Sequence, residues 1–349
     1  MNRELFSRTG LRRASGRLRR SAVRALGVDL EAVVHLDSHY ATPVSWVERL
    51  ALHSPACTVE LAHPRDPEVV THAFGARWVY RIESCIWDPQ GDLAFTSDHR
   101  LIAESTSWPP LHALTSWPVK PRHAPRLQLD GDCIIMPTTG YGHWLLEDLP
   151  CVLAALEHSP QATIVVSAQA PGFVRAFLRT LPNRVVDADG PVTLANVVMV
   201  GRGPDTGWTH PVDAARIAAM FGALASGDRA VYGTRSGGRR APANETQVEA
   251  TCRELGVAVV STAAMPLDEQ ARLFASARLV VVPHGAGLAN IVWMQPGARV
   301  IELFEADYVV PCYAELAAVR GLQYSCLIAA TPGDSSVDLE ALRGLIASS

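Results

Sequence analysis

The chain has 349 residues, of which 48% are hydrophobic and 7% aromatic, and its formal net charge is −4. This length and composition predict a globular, soluble protein that is long enough for two domains with buried cores. No apolar run reaches the roughly 18 to 20 residues that a membrane-spanning helix needs, and the acidic balance argues against nucleic acid as a partner.

The first 26 residues are strongly basic, with eight arginines against the single acidic residue Glu4. No apolar stretch follows these arginines as it would in a signal peptide, so we expect the protein to stay in the cytoplasm. We interpret residues 1–28 as a flexible basic arm. The arm either contacts the anionic inner face of the membrane or a partner, or it is simply solvated.

Two residue types narrow the expected chemistry. The seven cysteines include no Cys-x-x-Cys pair, which argues against a disulfide framework and a zinc knuckle and fits a reducing compartment. Lys120 is the only lysine, so a phosphate-binding loop of the Gly-x-x-x-x-Gly-Lys type is excluded. Any phosphate group is therefore expected to bind arginine or backbone N–H groups.

Residues 29–129 show short β-type patterns. Candidate strands are Cys57–Leu61 and Arg77–Trp87, and a turn at Pro89–Gly91 leads into a strand at Asp92–Phe95. We expect a small sheet or meander here, followed by an irregular connector rich in proline and tryptophan.

Strands and helices alternate after Asp130, a pattern typical of a parallel sheet covered by helices. The predicted strands are 133–136, 163–166 and 197–200, and the predicted helices are 143–158, 173–181 and 212–224. Ser226-Gly227 ends this series and marks the expected domain boundary. Residues 29–226 are therefore predicted to form one domain, with a β-rich start and a Rossmann-like half.

Residues 227–349 are predicted to form a second Rossmann-like domain. The predicted strands are 229–232, 257–260, 277–283 and 298–304, and the predicted helices are 244–256 and 268–275. Asn244 and Gln247 have the spacing of a capping box, and Gly256 is placed to end that helix. The expected fold class is therefore α/β.

A histidine and a glutamate share one face of the helix that follows the glycine-rich turn at 140–142. His143 and Glu147 are four residues apart. Such a pair at a helix start suits general-base chemistry, because it can accept a proton and be held in one tautomer. The same spacing occurs in ordinary ion pairs on solvated helix faces, so both interpretations stay open. Asp148 points elsewhere and is interpreted as structural.

Three arginines, Arg235, Arg239 and Arg240, lie in a glycine-containing loop directly after a predicted strand. Their guanidinium groups can bind phosphate oxygens bidentately. A solvated basic loop is the alternative interpretation. Asn244, just beyond this loop, is interpreted first as a helix cap.

The buried strand that ends in His284-Gly-Ala-Gly-Leu288 turns tightly into the next helix. Gly285 and Gly287 lack a Cβ, so a ligand can approach the backbone, and the N–H groups of the next helix attract an anion. Close packing of helix and strand is the alternative. The triplets Asp130-Gly-Asp132 and Asp187-Ala-Asp189 lie at predicted turns and are not expected to bind a metal.

Together, in this order and spacing, the motifs resemble glycosyltransferase family 61. The segments that carry the resemblance are Tyr232-Gly-Thr-Arg235, Arg239-Arg240, Asn244-Glu245, Leu267-Asp-Glu-Gln270, Pro283-His-Gly-Ala-Gly-Leu288, Asn290 and Val300-Ile-Glu302. The segment His143-Trp-Leu-Leu-Glu147, followed by Leu149-Pro150, is similar to the family's other motif. Bacterial members of this type are usually described as capsular polysaccharide biosynthesis proteins.

The resemblance implies a GT-B-like fold, in which two Rossmann-like domains face a cleft, here with a β-rich N-terminal elaboration. It also implies inverting transfer of a sugar from a nucleoside-diphosphate sugar, expected to be UDP-linked, to a hydroxyl of a glycan acceptor in cell-surface polysaccharide biosynthesis. The implied donor and phosphate contacts are Arg235, Arg239, Arg240, Asn244, Glu245, His284, Gly285, Ala286, Gly287, Leu288, Asn290 and Glu302.

Glu147 is the expected catalytic base, with His143 orienting it or acting in its place. The charge of the leaving group is expected to be stabilised by the arginines and by N–H groups after Gly285, without a metal or other cofactor. Glu302 or Glu305, at a strand end, is expected to bind the donor ribose. Two alternatives remain. One is an NAD-type oxidoreductase, whose fingerprint the Gly-x-Gly turn and a later acid imitate, and the other is a nucleotide-sugar-binding protein without catalysis.

Overall fold

The structure is a computed structural model, and it describes residues 33–34, 36, 47–105, 123–202, 206–235, 238 and 240–348. The predicted basic arm 1–28 and the candidate phosphate ligand Arg239 lie outside the described residues. Within the described ranges, no helix combines the length and the apolar character that crossing a bilayer requires.

The secondary-structure elements are numbered in chain order. The strands are β1 (Val33–Val34), β2 (Val47–Ser54), β3 (Cys57–His63), β4 (Asp66–Phe74), β5 (Arg77–Asp88), β6 (Leu93–Thr96), β7 (Leu101–Ile102), β8 (Leu127–Met136), β9 (Thr163–Ser167), β10 (Val185–Ala188), β11 (Val192–Val200), β12 (Arg229–Gly233), β13 (Ala258–Val260), β14 (Ala277–Pro283), β15 (Arg299–Phe304) and β16 (Gln323–Ile328). The α-helices are α1 (Tyr141–His143), α2 (Leu149–His158), α3 (Gly172–Leu178), α4 (Pro211–Ala219), α5 (Glu245–Glu254), α6 (Leu267–Ala275), α7 (Cys312–Arg320) and α8 (Leu339–Ala347). A π-helix, π1 (Trp144–Asp148), joins α1 to α2, and 3-10 helices cover Ala103–Ser105 and Ala286–Trp293.

The larger sheet has nine strands among the described residues, in the order β1-β7-β6-β5-β11-β8-β9-β10, with β2 also paired to β5. Strands β11, β8, β9 and β10 are parallel to one another, as the sequence predicts for the region after Asp130. Strand β5 joins this parallel part by pairing antiparallel with β11. Most of the β-rich N-terminal region therefore continues the larger sheet, and the small sheet expected here is limited to β3 and β4.

The second sheet is parallel throughout, in the order β13-β12-β14-β15-β16. The chain leaves β12 for the edge strand β13 and then crosses back to β14, so the winding direction reverses between β12 and β14. In open parallel sheets, ligands bind at the carboxyl ends of the strands at such a reversal. In this sheet the reversal point is formed by Arg235 and the turn at His284-Gly285.

Helices beside the two sheets share one apolar core. Trp144 and Leu145 of π1 belong to the same buried cluster as Ile291 and Trp293 of the second 3-10 helix. The Trp293 indole N–H donates to the carbonyl of Ile217 in α4 at 3.0 Å, so its polar atom is satisfied inside the core. This packing holds the start of the His143 helix beside the glycine turn after β14.

Two local predictions are wrong. Helix α4 ends at Ala219, short of the predicted end at Leu224, because Gly222 adopts a φ of 70° that turns the chain. Asn244 stands at the N-cap of α5 without a capping bond, so its capping box with Gln247 does not form. The predicted end of that helix at Gly256, with a φ of 75°, is confirmed.

Candidate active site

The helix that carries His143 contains a π-helical turn. In π1 the N–H groups bind carbonyls five residues back, as Leu149 does to Trp144, so one extra residue is fitted into the turn. All five π1 residues are buried, including Glu147 and Asp148. The exposed helix face that a regular amphipathic pattern would give is therefore absent at this turn.

His143 and Glu147 form a hydrogen-bonded pair in which the histidine is the exposed partner. Nδ1 of His143 lies 2.5 Å from Oε1 of Glu147. The Glu147 side chain is 10% exposed, whereas that of His143 is 47% exposed. In this bond Nδ1 donates to the carboxylate oxygen, so Nε2 carries a lone pair when the ring is neutral. The bond to Glu147 is the main cause that raises the pKa of His143 above its usual 6.5.

A loop that the sequence analysis missed completes the surroundings of Glu147. The Gly207 N–H donates to Oε1 at 2.9 Å, and the Thr206 hydroxyl donates to Oε2 at 3.1 Å. Gly207 has a φ of 86°, which favours glycine. Together with His143, these donors engage both oxygens and hold the carboxylate in one orientation. A lone glycine outside any periodic pattern was the only available signal.

Asp148, the neighbour of Glu147, is held away from this pair. Its carboxylate lies 2.7 Å from Arg202 and accepts a hydrogen bond from the Thr139 hydroxyl. Burial raises the pKa of Asp148 to about 6. An ion pair whose carboxylate is completely buried supports the structural interpretation of Asp148.

At the reversal point of the second sheet, Arg235 lies directly on the glycine turn. Its Nη1 donates to the His284 carbonyl at 2.6 Å. Gly285 has a φ of 150° and a ψ of −173°, a conformation that is essentially restricted to glycine. A Cβ on Gly285 would collide with the Arg235 guanidinium. Arg235 and the glycine turn, the two candidate phosphate contacts from the sequence, are therefore in direct contact.

The positive charges at this site are crowded. Burial and the nearby Arg240 lower the pKa of Arg235. Arg240 is exposed, has a φ of 69°, and places its guanidinium 5.0 Å from the ring centroid of Tyr308. An anion bound between the two arginines would relieve their repulsion, which is the electrostatic requirement of a phosphate site.

His284 makes a second histidine–glutamate pair, buried beneath the glycine turn. Its Nδ1 lies 2.5 Å from Oε1 of Glu302, and Tyr324 donates to Oε2 at 2.6 Å. The Glu302 side chain is completely buried, and burial raises its pKa. The His284 ring also stacks on Phe304, with centroids 5.1 Å apart. Glu302 thus positions His284, while the half-buried Glu305 lies nearer the strand ends.

Several predicted donor contacts support the backbone of the site. Glu245 accepts from the Arg235 N–H at 2.6 Å and from the Tyr232 hydroxyl at 3.1 Å, which fixes the end of β12. Both ends of the Asn244 amide bind the Val337 backbone at 2.9 Å, which explains why it does not cap α5. Leu288, immediately after the glycine turn, is completely buried in the core.

The two motifs meet at Gly142 and Tyr141. A Cβ on Gly142 would lie 3.1 Å from the Tyr313 hydroxyl oxygen and 3.4 Å from Cα of Ala286, so glycine allows this close approach. The Tyr141 hydroxyl donates to the Asn290 amide oxygen at 2.7 Å, and the Asn290 nitrogen donates to Gln270 at 2.7 Å. His143 is therefore held next to the turn that Ala286 belongs to.

One acidic residue of each Asp-x-Asp triplet has a cationic partner in the structure. Asp132 contacts Arg81 and Ser159, and Asp187 contacts Arg175. Within the described residues, one buried His–Cys–Asp cluster has its donor atoms close enough to bind a metal ion. It consists of His53, Cys151 and Asp213. The guanidinium of Arg77 is paired with Asp213 there and supplies the positive charge.

Residues 141–301 match the model of the family described as Glycosyltransferase 61. The matched segment begins at the start of the His143 helix and ends within β15, so it includes both meeting motifs. Among curated proteins we find no match to the chain. Residues 141–301 are thus a glycosyltransferase family 61 domain, and the protein that carries it is a glycosyltransferase.

Proposed function

We propose that this enzyme transfers a sugar, with inversion, from a nucleoside-diphosphate sugar to a hydroxyl group of a glycan or other polysaccharide-precursor acceptor. The observation that carries the proposal is the packing of Gly142 against Ala286. This packing holds the helix of His143 beside the glycine turn that we propose to bind the phosphates. A displacement at a sugar phosphate needs these two groups in one place.

We assign the base role to His143, with Glu147 as its orienting partner, and so reverse the order expected from the sequence. Glu147 is buried and accepts three hydrogen bonds, whereas His143 is half exposed. In the transfer, Nε2 of His143 takes the proton of the acceptor hydroxyl. The acceptor oxygen bonds the anomeric carbon from the face opposite the diphosphate, and the old carbon–oxygen bond breaks with its electron pair on the leaving nucleoside diphosphate.

The leaving diphosphate is proposed to bind Arg235, Arg239 and Arg240 together with the N–H groups after Gly285. Each charge-assisted contact is worth about 1.5–3 kcal/mol, or about 10- to 150-fold in rate where it forms only in the transition state. These groups make the reaction metal-independent in this proposal. We expect full turnover in EDTA, and a loss of activity that magnesium or manganese restores would contradict it.

The donor is proposed to be UDP-linked, and Glu305 is now the favoured contact for its ribose because Glu302 is enclosed by His284 and Tyr324. Residues 29–226 and 227–349 are proposed to act as the acceptor-side and donor-side halves of a GT-B-like enzyme. We further propose a cytoplasmic enzyme of capsular or other cell-surface polysaccharide biosynthesis. The arm 1–28 would contact the inner face of the membrane.

The enclosure of Glu302 also removes one of the two acids that the NAD-type alternative could use to bind the ribose, and it leaves Glu305 as the other. Family membership favours catalysis over simple binding of a nucleotide sugar.

Thermal stabilisation of the purified protein by UDP, GDP, CDP and ADP, compared with NAD, tests the donor class. Mass-detected hydrolysis of a panel of nucleotide sugars then identifies the donor, and NMR of the first-formed product gives its anomeric configuration. Stabilisation by NAD alone, or a product that retains the donor configuration, would rule out the proposed reaction.

A further inference from the structure

The hairpin formed by β3 and β4 connects the two halves of the molecule. It pairs with neither large sheet and packs against α7 of the second half. At its tip, the Arg65 side chain donates to the carbonyl of Ala306, and the Cys326 thiol lies 3.7 Å from the carbonyl of Pro64. The mechanism proposed above uses none of these residues.

The base of this hairpin holds a buried histidine between a tryptophan and a glutamate. His72 is 1% exposed, and its ring is stacked on Trp208 with centroids 4.2 Å apart and an interplanar angle of 20°. On the other side, its Nδ1 lies 3.6 Å from Oε2 of Glu315, which is completely buried in α7. His72 thus links the Trp208 ring to a helix of the second half.

Trp208 directly follows the two residues that hold Glu147. Gly207 and Thr206 donate to the two oxygens of that carboxylate, and their backbone continues straight into Trp208. The helix that carries Glu315 begins next to Tyr313, whose hydroxyl lies against Gly142 at the other side of the site. The contacts therefore form a closed path from the catalytic helix through the hairpin and α7 back to the catalytic helix.

We infer that Trp208 is a positioning residue for catalysis, which keeps Glu147 bound to His143 by anchoring the 206–208 loop on His72 of the hairpin. Thr209 and His210, which follow Trp208, are buried, and Nε2 of His210 lies 2.9 Å from the carbonyl oxygen of Pro55. Within the loop, the stacking of Trp208 on His72 holds the backbone of residues 206–208 in place. When the stack is lost, the loop donors leave Glu147, the carboxylate becomes solvated, and His143 loses its fixed orientation.

The experiment rests on the proposed base role of His143 and compares Trp208→Ala with Trp208→Phe, which keeps an aromatic ring. For Trp208→Ala we expect kcat to fall about 100-fold, as for a misplacement of about 1 Å, with the donor KM nearly unchanged. Trp208→Phe and His72→Phe, which keep a flat ring in the stack, are expected to retain most of the activity. Trp208→Leu replaces Trp208→Ala if the alanine variant does not fold.

A histidine NMR titration provides a readout that loss of packing alone would not change. The charged groups that act on His143 are Glu147, Asp148 and Arg202, and the bond to Glu147 is the largest influence on its pKa. In Trp208→Ala we expect the pKa of His143 to fall towards 6.5. In Trp78→Ala it should stay raised, since Trp78 is a comparably half-buried tryptophan below the Arg49 guanidinium, at 4.1 Å.

An unchanged kcat and an unchanged His143 pKa in Trp208→Ala would overturn the inference, as would equal changes in Trp78→Ala. The titration needs no substrate. A wild-type protein that transfers no sugar would therefore defeat the proposed function, while the titration would still decide the role of Trp208.

Discussion

Two histidine–glutamate pairs of the site have the same bond and opposite surroundings. The Nδ1–Oε1 distance is 2.5 Å in both His143–Glu147 and His284–Glu302. The first histidine side chain is 47% exposed and the second only 8%. Bond geometry alone therefore does not identify a catalytic pair. The exposed histidine can exchange a proton with a substrate, whereas the buried one is enclosed by aromatic rings and supports the glycine turn.

The largest expected effect is on the exposed pair. His143→Ala should lower kcat about 10²- to 10⁴-fold with donor affinity nearly unchanged, because it removes a positioned base. Glu147→Gln should give a smaller fall, since the base remains and only its orientation and pKa change. Steady-state kinetics with saturating donor measures both effects. A dead Glu147→Gln beside a His143→Ala that turns over normally would restore Glu147 as the base.

Substitutions in the buried pair His284–Glu302 should lower the free energy of unfolding. Glu302→Leu leaves the His284 Nδ1 and the Tyr324 hydroxyl buried without a partner, at about 1–3 kcal/mol for each group. Urea unfolding measures the loss, with Tyr324→Phe as the control that removes one bond only. Equal unfolding free energies in Glu302→Leu and wild type would mean that this pair is no more structural than the exposed one.

The arginines above the buried pair should affect donor binding unequally. Arg235→Ala is expected to weaken nucleoside-diphosphate binding about 10- to 150-fold, because it removes a charge-assisted contact at the glycine turn. Arg240→Ala should weaken it only a few-fold, since Arg240 is exposed and solvent screens its attraction for the phosphate to about 0–1 kcal/mol. Calorimetric titration of each variant with the nucleoside diphosphate measures both affinities. If Arg235→Ala binds the nucleoside diphosphate as tightly as wild type, the phosphates do not bind at this turn.

The smallest expected effect is a shift in pH dependence. The raised pKa of His143 keeps the ring protonated to a higher pH than usual, so kcat should fall about tenfold per pH unit below that pKa. Glu147→Gln should move this acid limb to lower pH. The same interaction stabilises the fold below pH 6.5 and is lost as the pH rises through the raised pKa. If the acid limb is identical in wild type and Glu147→Gln, the protonation of His143 does not control kcat.

Those features of the fold and the site that depend on a local sequence pattern could be predicted from the sequence. The four-residue spacing of His143 and Glu147, the glycine turn after β14 and the parallel order of both α/β regions could all be inferred. Thr206, Gly207 and Tyr313 could not, because they reach the site only through the tertiary fold. Asn244 was misjudged for a related reason: a backbone partner 93 residues away, Val337, competes with the local capping bond.

The exposure of each carboxylate also lay beyond sequence reasoning. A regular helix would place Glu147 one turn after His143 on the same accessible face, which made it a plausible base. The π-helical turn instead buries Trp144 to Asp148 on all sides. The preference for His143 over Glu147 therefore comes from an irregularity that an average helical period does not represent.

That irregularity also makes the site sensitive to chain length. Removing one residue between Trp144 and Asp148 would restore a regular α-helix and rotate His143 by about 100° relative to α2. Every side chain could remain chemically suitable while the histidine turned away from Ala286. We therefore expect this segment to accept substitutions at several positions but no insertion or deletion, so that the number of residues in the turn is itself a determinant of catalysis.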